Sequence, residues 1–224
     1  MPSFRQLVRQ RFALLMLLAT VGCGSKEHDD IPDGLLSAIA NAGSATTAWE
    51  GPYGNRTGDV IAEHCFDGWQ DPSAAQFDSE SMSEICLSDF YDPTGNTSRI
   101  LHISTSAGWC ASCGTEYQGT ASRPSLSARW QQRRAQGFAV LGTLFQDNNE
   151  NPATPADASI WTELYNVDFP FAVDPSFQLG LYADESVQPF NMLIDTTTMT
   201  IITQLEGDNP EVLWSAVDQA LTPN

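Results

Sequence analysis

Positive charge is scarce in this chain: 10 Lys and Arg stand against 28 Asp and Glu, a formal net charge of −18. Nucleic acid is excluded as a partner on that ground, because phosphate binding needs a basic footprint. Direct adhesion to anionic lipid head groups is excluded for the same reason. Histidine is scarcer still, with only His28, His64 and His102. A structural zinc site wants two cysteine pairs, or a cysteine pair with a histidine pair, and the pattern offers neither, so no metal is expected. Long apolar runs are missing too. The most apolar stretch, Phe12 to Val21, falls short of the ~20 residues that a membrane-spanning helix needs. No internal repeat is evident.

That stretch has a recognisable setting. Arg5, Arg9 and Arg11 precede it, and Gly22 and Cys23 follow. A basic start, a short apolar run and a small residue before a cleavage point describe an export signal. Thr20-Val21-Gly22-Cys23 resembles the lipobox of bacterial lipoproteins, with Thr20 where Leu is usual. The resemblance implies removal of residues 1–22, lipidation of Cys23 and a periplasm-facing place at the cell envelope, with membrane contact through the anchor alone. The alternative is an ordinary secretory signal cut nearby, with Cys23 an incidental thiol. Without the signal the balance is 7 basic against 28 acidic residues, or −21, which reads as solubility. Residues 23–50, rich in Gly, Ser, Ala and Asp, read as a tether holding a short helix candidate from Ile31 to Ala42, broken at Gly34. Residues 51–224 are expected to fold as one domain.

Within that domain, Val60-Ile61 and Phe77 to Leu87 read as short extended pieces. Arg99 to Ser104 is a buried strand candidate. Helices are predicted from Cys110 to about Thr120 and from Ser125 to Gln136, the second stopped by Gly137. Phe138 to Phe145 is a second buried strand, and residues 146–156 form a loop. Asp157 reads as the N-cap of a helix ending at Asn166. Phe190–Asp195 and Thr200–Leu205 form a hairpin. Glu211 to Leu221 is an amphipathic helix with Val212, Leu213, Val217 and Leu221 on its apolar face. This order predicts an α/β fold: a central mixed β-sheet, helices on both faces and an N-terminal β extension.

Besides Cys23, four cysteines remain to be placed. Cys110 and Cys113 form a close pair in Trp109-Cys110-Ala111-Ser112-Cys113, directly after a buried strand and at the start of a helix. Disulfide exchange needs one thiol that ionises near neutral pH and a second within reach of it. Two intervening residues put both on one helical turn, and the helix N-terminus favours the thiolate of the first. Cys110 would attack and Cys113 would resolve. Cys65 and Cys86 are left. In an oxidising compartment a structural disulfide between them is expected, with two free buried thiols as the alternative.

These residues resemble the thioredoxin superfamily, in its exported TlpA/ResA-type and redoxin branch. The segment Ile103 to Cys113 is similar to that family's strand leading into Trp-Cys-x-x-Cys. Gly114-Thr115-Glu116 stands where the family often has a basic residue, any residue and Glu. Leu87-Ser88-Asp89, Phe169-Pro170 with Asp174, and Val187-Gln188-Pro189-Phe190 before Leu193-Ile194-Asp195 resemble further family segments. The likeness covers roughly residues 58–221. It implies a thioredoxin-like fold and a thiol–disulfide oxidoreductase that needs no dissociable cofactor. Its partners would be protein or peptide thiols and disulfides, together with an unidentified redox partner. Pro189 takes the cis-proline role, and Gln188 and Trp109 border the substrate groove. A plain strand-start proline is the alternative for Pro189.

Several departures matter. Ser104 stands where thioredoxins bury an Asp, and Ala111-Ser112 lacks the usual proline. Glu116 reads as part of a solvated helix face, and His102 as a core or sheet-face histidine. A thiol peroxidase is the nearest enzymatic rival. Its motif places Pro and Thr or Ser seven and three residues before the reactive Cys, where this chain has Ile103 and Ala107. A copper chaperone of the superfamily needs a distal His, and none follows Cys113. The rival from another class is a binding module in which Cys110–Cys113 is a permanent structural bond. Asp147, Asn149 and Asn151 mimic a calcium loop, but Pro152 and Ala158 stand where Gly and Glu are needed.

Overall fold

Burial of alternating apolar side chains on two faces organises the sheet, as seen in a computed structural model that describes residues 49–222. The expected signal, Cys23 and the Ile31–Ala42 helix lie outside the described residues. The central strand β3, Ile100–Ala107, is buried along its whole length. Ile100 packs into one hydrophobic cluster, and Leu101 and Ile103 pack into the other. It runs three residues past the predicted end, through Thr105, Ser106 and Ala107. Polar residues continue the strand because both flanks are paired: β3 lies parallel to β4, Phe138–Gln146, and antiparallel to β6, Phe190–Asp195.

The full sheet has seven strands in the order β2-β1-β5-β4-β3-β6-β7. The hairpin partner β7 is Thr200–Glu206. Three short strands complete the other side: β1, Cys65–Trp69; β2, Ser83–Cys86; and β5, Phe171–Val173. The sequence pattern does not mark β1 and β5 as strands. They are three to five residues long, and β1 holds Asp67 and Gly68, poor strand formers. Gly68 is required by packing, because a Cβ there would meet the Phe171 carbonyl and lie 2.7 Å from the Ala172 Cα. Val60 makes only isolated bridges, and of the predicted Phe77–Leu87 piece only Ser83–Cys86 is strand.

Among the described residues four α-helices flank the sheet: α1, Ala111–Gln118; α2, Leu126–Arg133; α3, Pro155–Tyr165; and α4, Pro210–Leu221. All four contribute to the cluster that contains Ile100, Val140 and Leu193. The opposite cluster takes Leu87 and Leu179 from the 3-10 helices Leu87–Phe90 and Gln178–Leu181, with Trp49 and Ile61. The predicted helix from Ser125 to Gln136 is α2 followed by a 3-10 turn, closed by Gly137 at φ 90°.

Two expectations are corrected. The N-cap of α3 is Thr154, not Asp157. Asp157 is its capping-box partner: its N–H donates to Thr154 Oγ1 at 3.3 Å, and its carboxylate accepts from the Thr154 N–H at 2.9 Å. Pro155 at the first helical position shifts the start three residues earlier. On α4, Val212 is 49% exposed, and Trp214 joins Leu213, Val217 and Leu221 in the core instead. Among the described residues no helix is long and apolar enough to cross a membrane.

Candidate active site

The chain leaves β3 at Ala107 and turns sharply into α1. A Cβ on Gly108 would lie 2.7 Å from the Asp147 carbonyl carbon, so the turn passes against the backbone that follows β4. Cys110 is the N-cap of α1, and its Sγ accepts a hydrogen bond from the Cys113 N–H at 3.1 Å. An anionic sulfur there gains from both that donor and the helix N-terminus. Cys110 and Cys113 are joined in a disulfide. The two residues are not equivalent: Cys110 is 6% exposed and Cys113 is fully buried.

The peptide bond between Gln188 and Pro189 is cis, and it lies beside the cysteine pair. The Ser112 hydroxyl connects the two segments. It donates to the Gln188 carbonyl oxygen at 3.3 Å and lies 3.4 Å from Cys110 Sγ. The Gln188 side chain turns back on its own strand, where Oε1 accepts from the Phe190 N–H at 3.1 Å. Trp109 is half-buried. Its indole N–H donates to Gln146 at 2.8 Å, and Gln146 donates in turn to Glu185 at 2.6 Å. The structure therefore brings Trp109, Cys110, Cys113, Gln188 and Pro189 to one place. Ser112, Gln146 and Glu185 join them without having been singled out in the sequence. An i, i+2 polar contact or a loop-to-strand contact carries no local signal.

Glu116 was expected on a solvated face, yet it is only 8% exposed. It sits three residues after Cys113, on the same side of α1. Its Oε2 accepts from Asn191 Nδ2 at 3.2 Å, and Oε1 is buried without a partner. Burial pushes its carboxyl up to about 7, with the Asn191 bond working against that rise. The Asn191 oxygen lies 2.6 Å from His102 Nε2, so that nitrogen carries the proton. His102 is enclosed between Phe138 and Trp214, and burial pulls it down to about 4. It is a core histidine, as its place in the strand predicts. Ser104 is buried, and its carbonyl accepts from the Tyr117 hydroxyl at 3.4 Å. The buried carboxylate of this region thus belongs to the helix, against Asn191, and not to the strand, where Ser104 stands. Only the matching Glu in the family pattern hinted at it.

Cys65 and Cys86 stand opposite each other in the β1–β2 register and are joined in a disulfide. Glu63 comes close to both sulfurs. Sulfurs shared in a disulfide offer no thiolate to a metal, so this group is not a metal site. Asp147 is occupied as a turn anchor. It accepts from the Asn149 and Asn151 N–H groups and from the Asn151 side chain, which together hold its carboxyl below the usual carboxylate range.

No protein-family model and no curated protein matches the chain. Solved structures do. A candidate thiol:disulfide interchange protein, DsbE, from Chlorobium tepidum is 18% identical over 75% of this chain and 100% of its own, with a TM-score of 0.53. A secreted thiol-disulfide isomerase from Corynebacterium glutamicum is 15% identical over 73% of this chain and 85% of its own, with a TM-score of 0.52. AhpC from Enterococcus faecalis is 13% identical over 75% of this chain and 93% of its own, with a TM-score of 0.53. The fold is thioredoxin-like. A Cys-x-x-Cys disulfide at a helix N-terminus in this scaffold supports catalytic thiol–disulfide exchange.

Proposed function

We propose that this protein is a thiol–disulfide oxidoreductase acting on protein or peptide disulfides at the cell envelope, held there by a lipid on Cys23. The observation that carries the chemistry is the asymmetry of the pair: Cys110 at the cap of α1, its Sγ facing the Cys113 N–H, and the more deeply buried Cys113 behind it. In the reducing direction the Cys110 thiolate attacks one sulfur of a substrate disulfide. The substrate S–S bond breaks, and its leaving sulfur takes up a proton. Cys113 gives its proton to a base and attacks Cys110 Sγ, releasing the second substrate thiol. Two electrons pass from the dithiol to the substrate. Glu116 is the base we assign, because it lies one turn from Cys113 and its carboxyl is held near neutrality. Trp109, Gln188 and Pro189 border the groove, and the Gln188 backbone pairs with an extended segment as strand addition does. Cys65–Cys86 has a structural role.

Thiol peroxidase chemistry fits less well, because Ile103 and Ala107 stand where that motif needs Pro and a hydroxyl residue. The test is insulin reduction by the full chain beside Cys110→Ser, with the reduction potential of the pair. A potential of about −120 to −270 mV with activity lost in the variant is the expected result. A pair that stays oxidised below about −300 mV, with no activity to lose, would leave a stapled binding domain.

A further inference from the structure

We infer that the Ser112 hydroxyl is a redox-set gate: its one proton caps the Gln188 carbonyl while Cys110–Cys113 is oxidised and turns to Cys110 Sγ when the pair is reduced, opening that carbonyl to substrate. The inference rests on the exchange reading above and adds a direction to it.

Ser112 Oγ stands 3.3 Å from the Gln188 oxygen and 3.4 Å from Cys110 Sγ. A hydroxyl has one hydrogen, so it serves one acceptor at a time. In the disulfide, Cys110 Sγ is divalent and neutral, a weak acceptor, and the carbonyl holds the proton. Reduction turns Cys110 Sγ into a site for negative charge that already faces the Cys113 N–H. A hydrogen bond to an ionised acceptor is about twice as strong as a neutral one. The hydroxyl therefore rotates to the thiolate. The Gln188 side chain does not take its place on the carbonyl, since its Oε1 is engaged by the Phe190 N–H and its amide nitrogen by the Asp184 carbonyl. The released oxygen is then free for a backbone N–H of an extended polypeptide.

The consequence is directional. The reduced protein presents an open pairing edge to a polypeptide disulfide. The oxidised product caps that edge, which favours release of the reduced substrate. The same hydroxyl donates to the attacking sulfur, so Ser112 touches the reacting atom as well as the docking edge.

The experiment compares the full chain with Ser112→Ala and Ser112→Thr. The first readout is the alkylation rate of reduced Cys110 by iodoacetamide at mildly acidic pH, with the modified cysteine located by mass spectrometry. The second is the carbonyl carbon resonance of Gln188 in the oxidised and dithiothreitol-reduced protein. Ser112→Ala is expected to alkylate about tenfold more slowly, the loss of one charge-assisted hydrogen bond. Ser112→Thr is expected to keep the wild-type rate. The Gln188 resonance should move on reduction in the wild type and stay fixed in Ser112→Ala. Unchanged alkylation in Ser112→Ala, or a Gln188 signal blind to redox state in the wild type, overturns the gate. Insulin reduction by the wild type is run alongside. Its absence counts against the exchange reading, whereas activity with an unresponsive Gln188 counts against the gate alone.

Discussion

Asn191 bridges two buried ionisable groups: its Nδ2 donates to Glu116 at 3.2 Å, and its oxygen accepts from His102 at 2.6 Å. Burial drives the two groups in opposite senses. Glu116 rises from 4.5 to about 7, and His102 falls from 6.5 to about 4. A raised group favours the fold below its unfolded value, and that stability is lost as pH climbs through the folded value. A lowered group contributes above its unfolded value and loses it as pH falls through the folded one. Between about 4.5 and 6.5 the two slopes oppose each other. We predict that these two contributions offset each other there in the wild type. Glu116→Gln should expose the His102 slope, which runs in the same sense as that of His64, also lowered by burial, with stability falling more steeply than in the wild type as pH drops below 6.5. Above pH 7 the variant should exceed the wild type by at most about 3 kcal/mol. Urea unfolding at several pH values reads this directly; parallel curves for the two proteins would contradict it.

The same substitution tests the proton acceptor. Glu116→Gln is nearly isosteric and keeps an oxygen for Asn191. The resolving step is expected to slow by about 10²-fold, the usual size of a lost general base. Single-turnover decay of the mixed disulfide isolates that step. A decay rate equal to wild type would remove Glu116 from the mechanism.

Cys113→Ala should halt the reaction one bond earlier. Cys110 still attacks, but no thiol is left to release it. Incubation with a peptide disulfide is expected to leave a stable adduct on Cys110, visible as a mass increase of one peptide half. An adduct on any other cysteine, or none, would speak against Cys110 as the nucleophile.

The Cys65–Cys86 bond closes a segment of 21 residues at the edge of the sheet. Replacing both cysteines with Ala is expected to cost about 3 kcal/mol by the chain-entropy estimate. Exchange activity at a temperature where both proteins are folded should be unchanged. A large loss of activity there would give this second disulfide a redox role.

Gln146 holds the Trp109 indole and is itself held by Glu185. Gln146→Ala should free the ring, raise KM for a peptide disulfide severalfold and leave kcat near wild type. A fall in kcat at constant KM would move Trp109 from docking to chemistry.

The long elements were legible because their residues carry a local period. Ile100, Leu101 and Ile103 announce β3, and Leu213, Val217 and Leu221 announce α4. Strands β1 and β5 were not, since three to five residues give no period and β1 contains a glycine placed for a neighbour rather than for itself. The cysteine pair was legible from its spacing together with its place after a buried strand and at the start of a helix. Glu116 was misread because a lone carboxylate on a helix is solvated by default. Its burial comes with a contact to Asn191, 75 residues away in the chain.

Sequence by itself determined the elements that local chemistry can set: the strand before the pair, the two-residue spacing of Cys110 and Cys113, the helix that caps the first of them, and the proline two residues before Asn191. Only the tertiary structure decided how deeply each cysteine is buried, that Glu116 is buried against Asn191, and which hydroxyl spans Cys110 and the Gln188 carbonyl. The division has a physical cause. Spacing and capping act within one turn of chain, whereas burial and hydrogen-bond partnership are set by segments that meet only when the sheet closes.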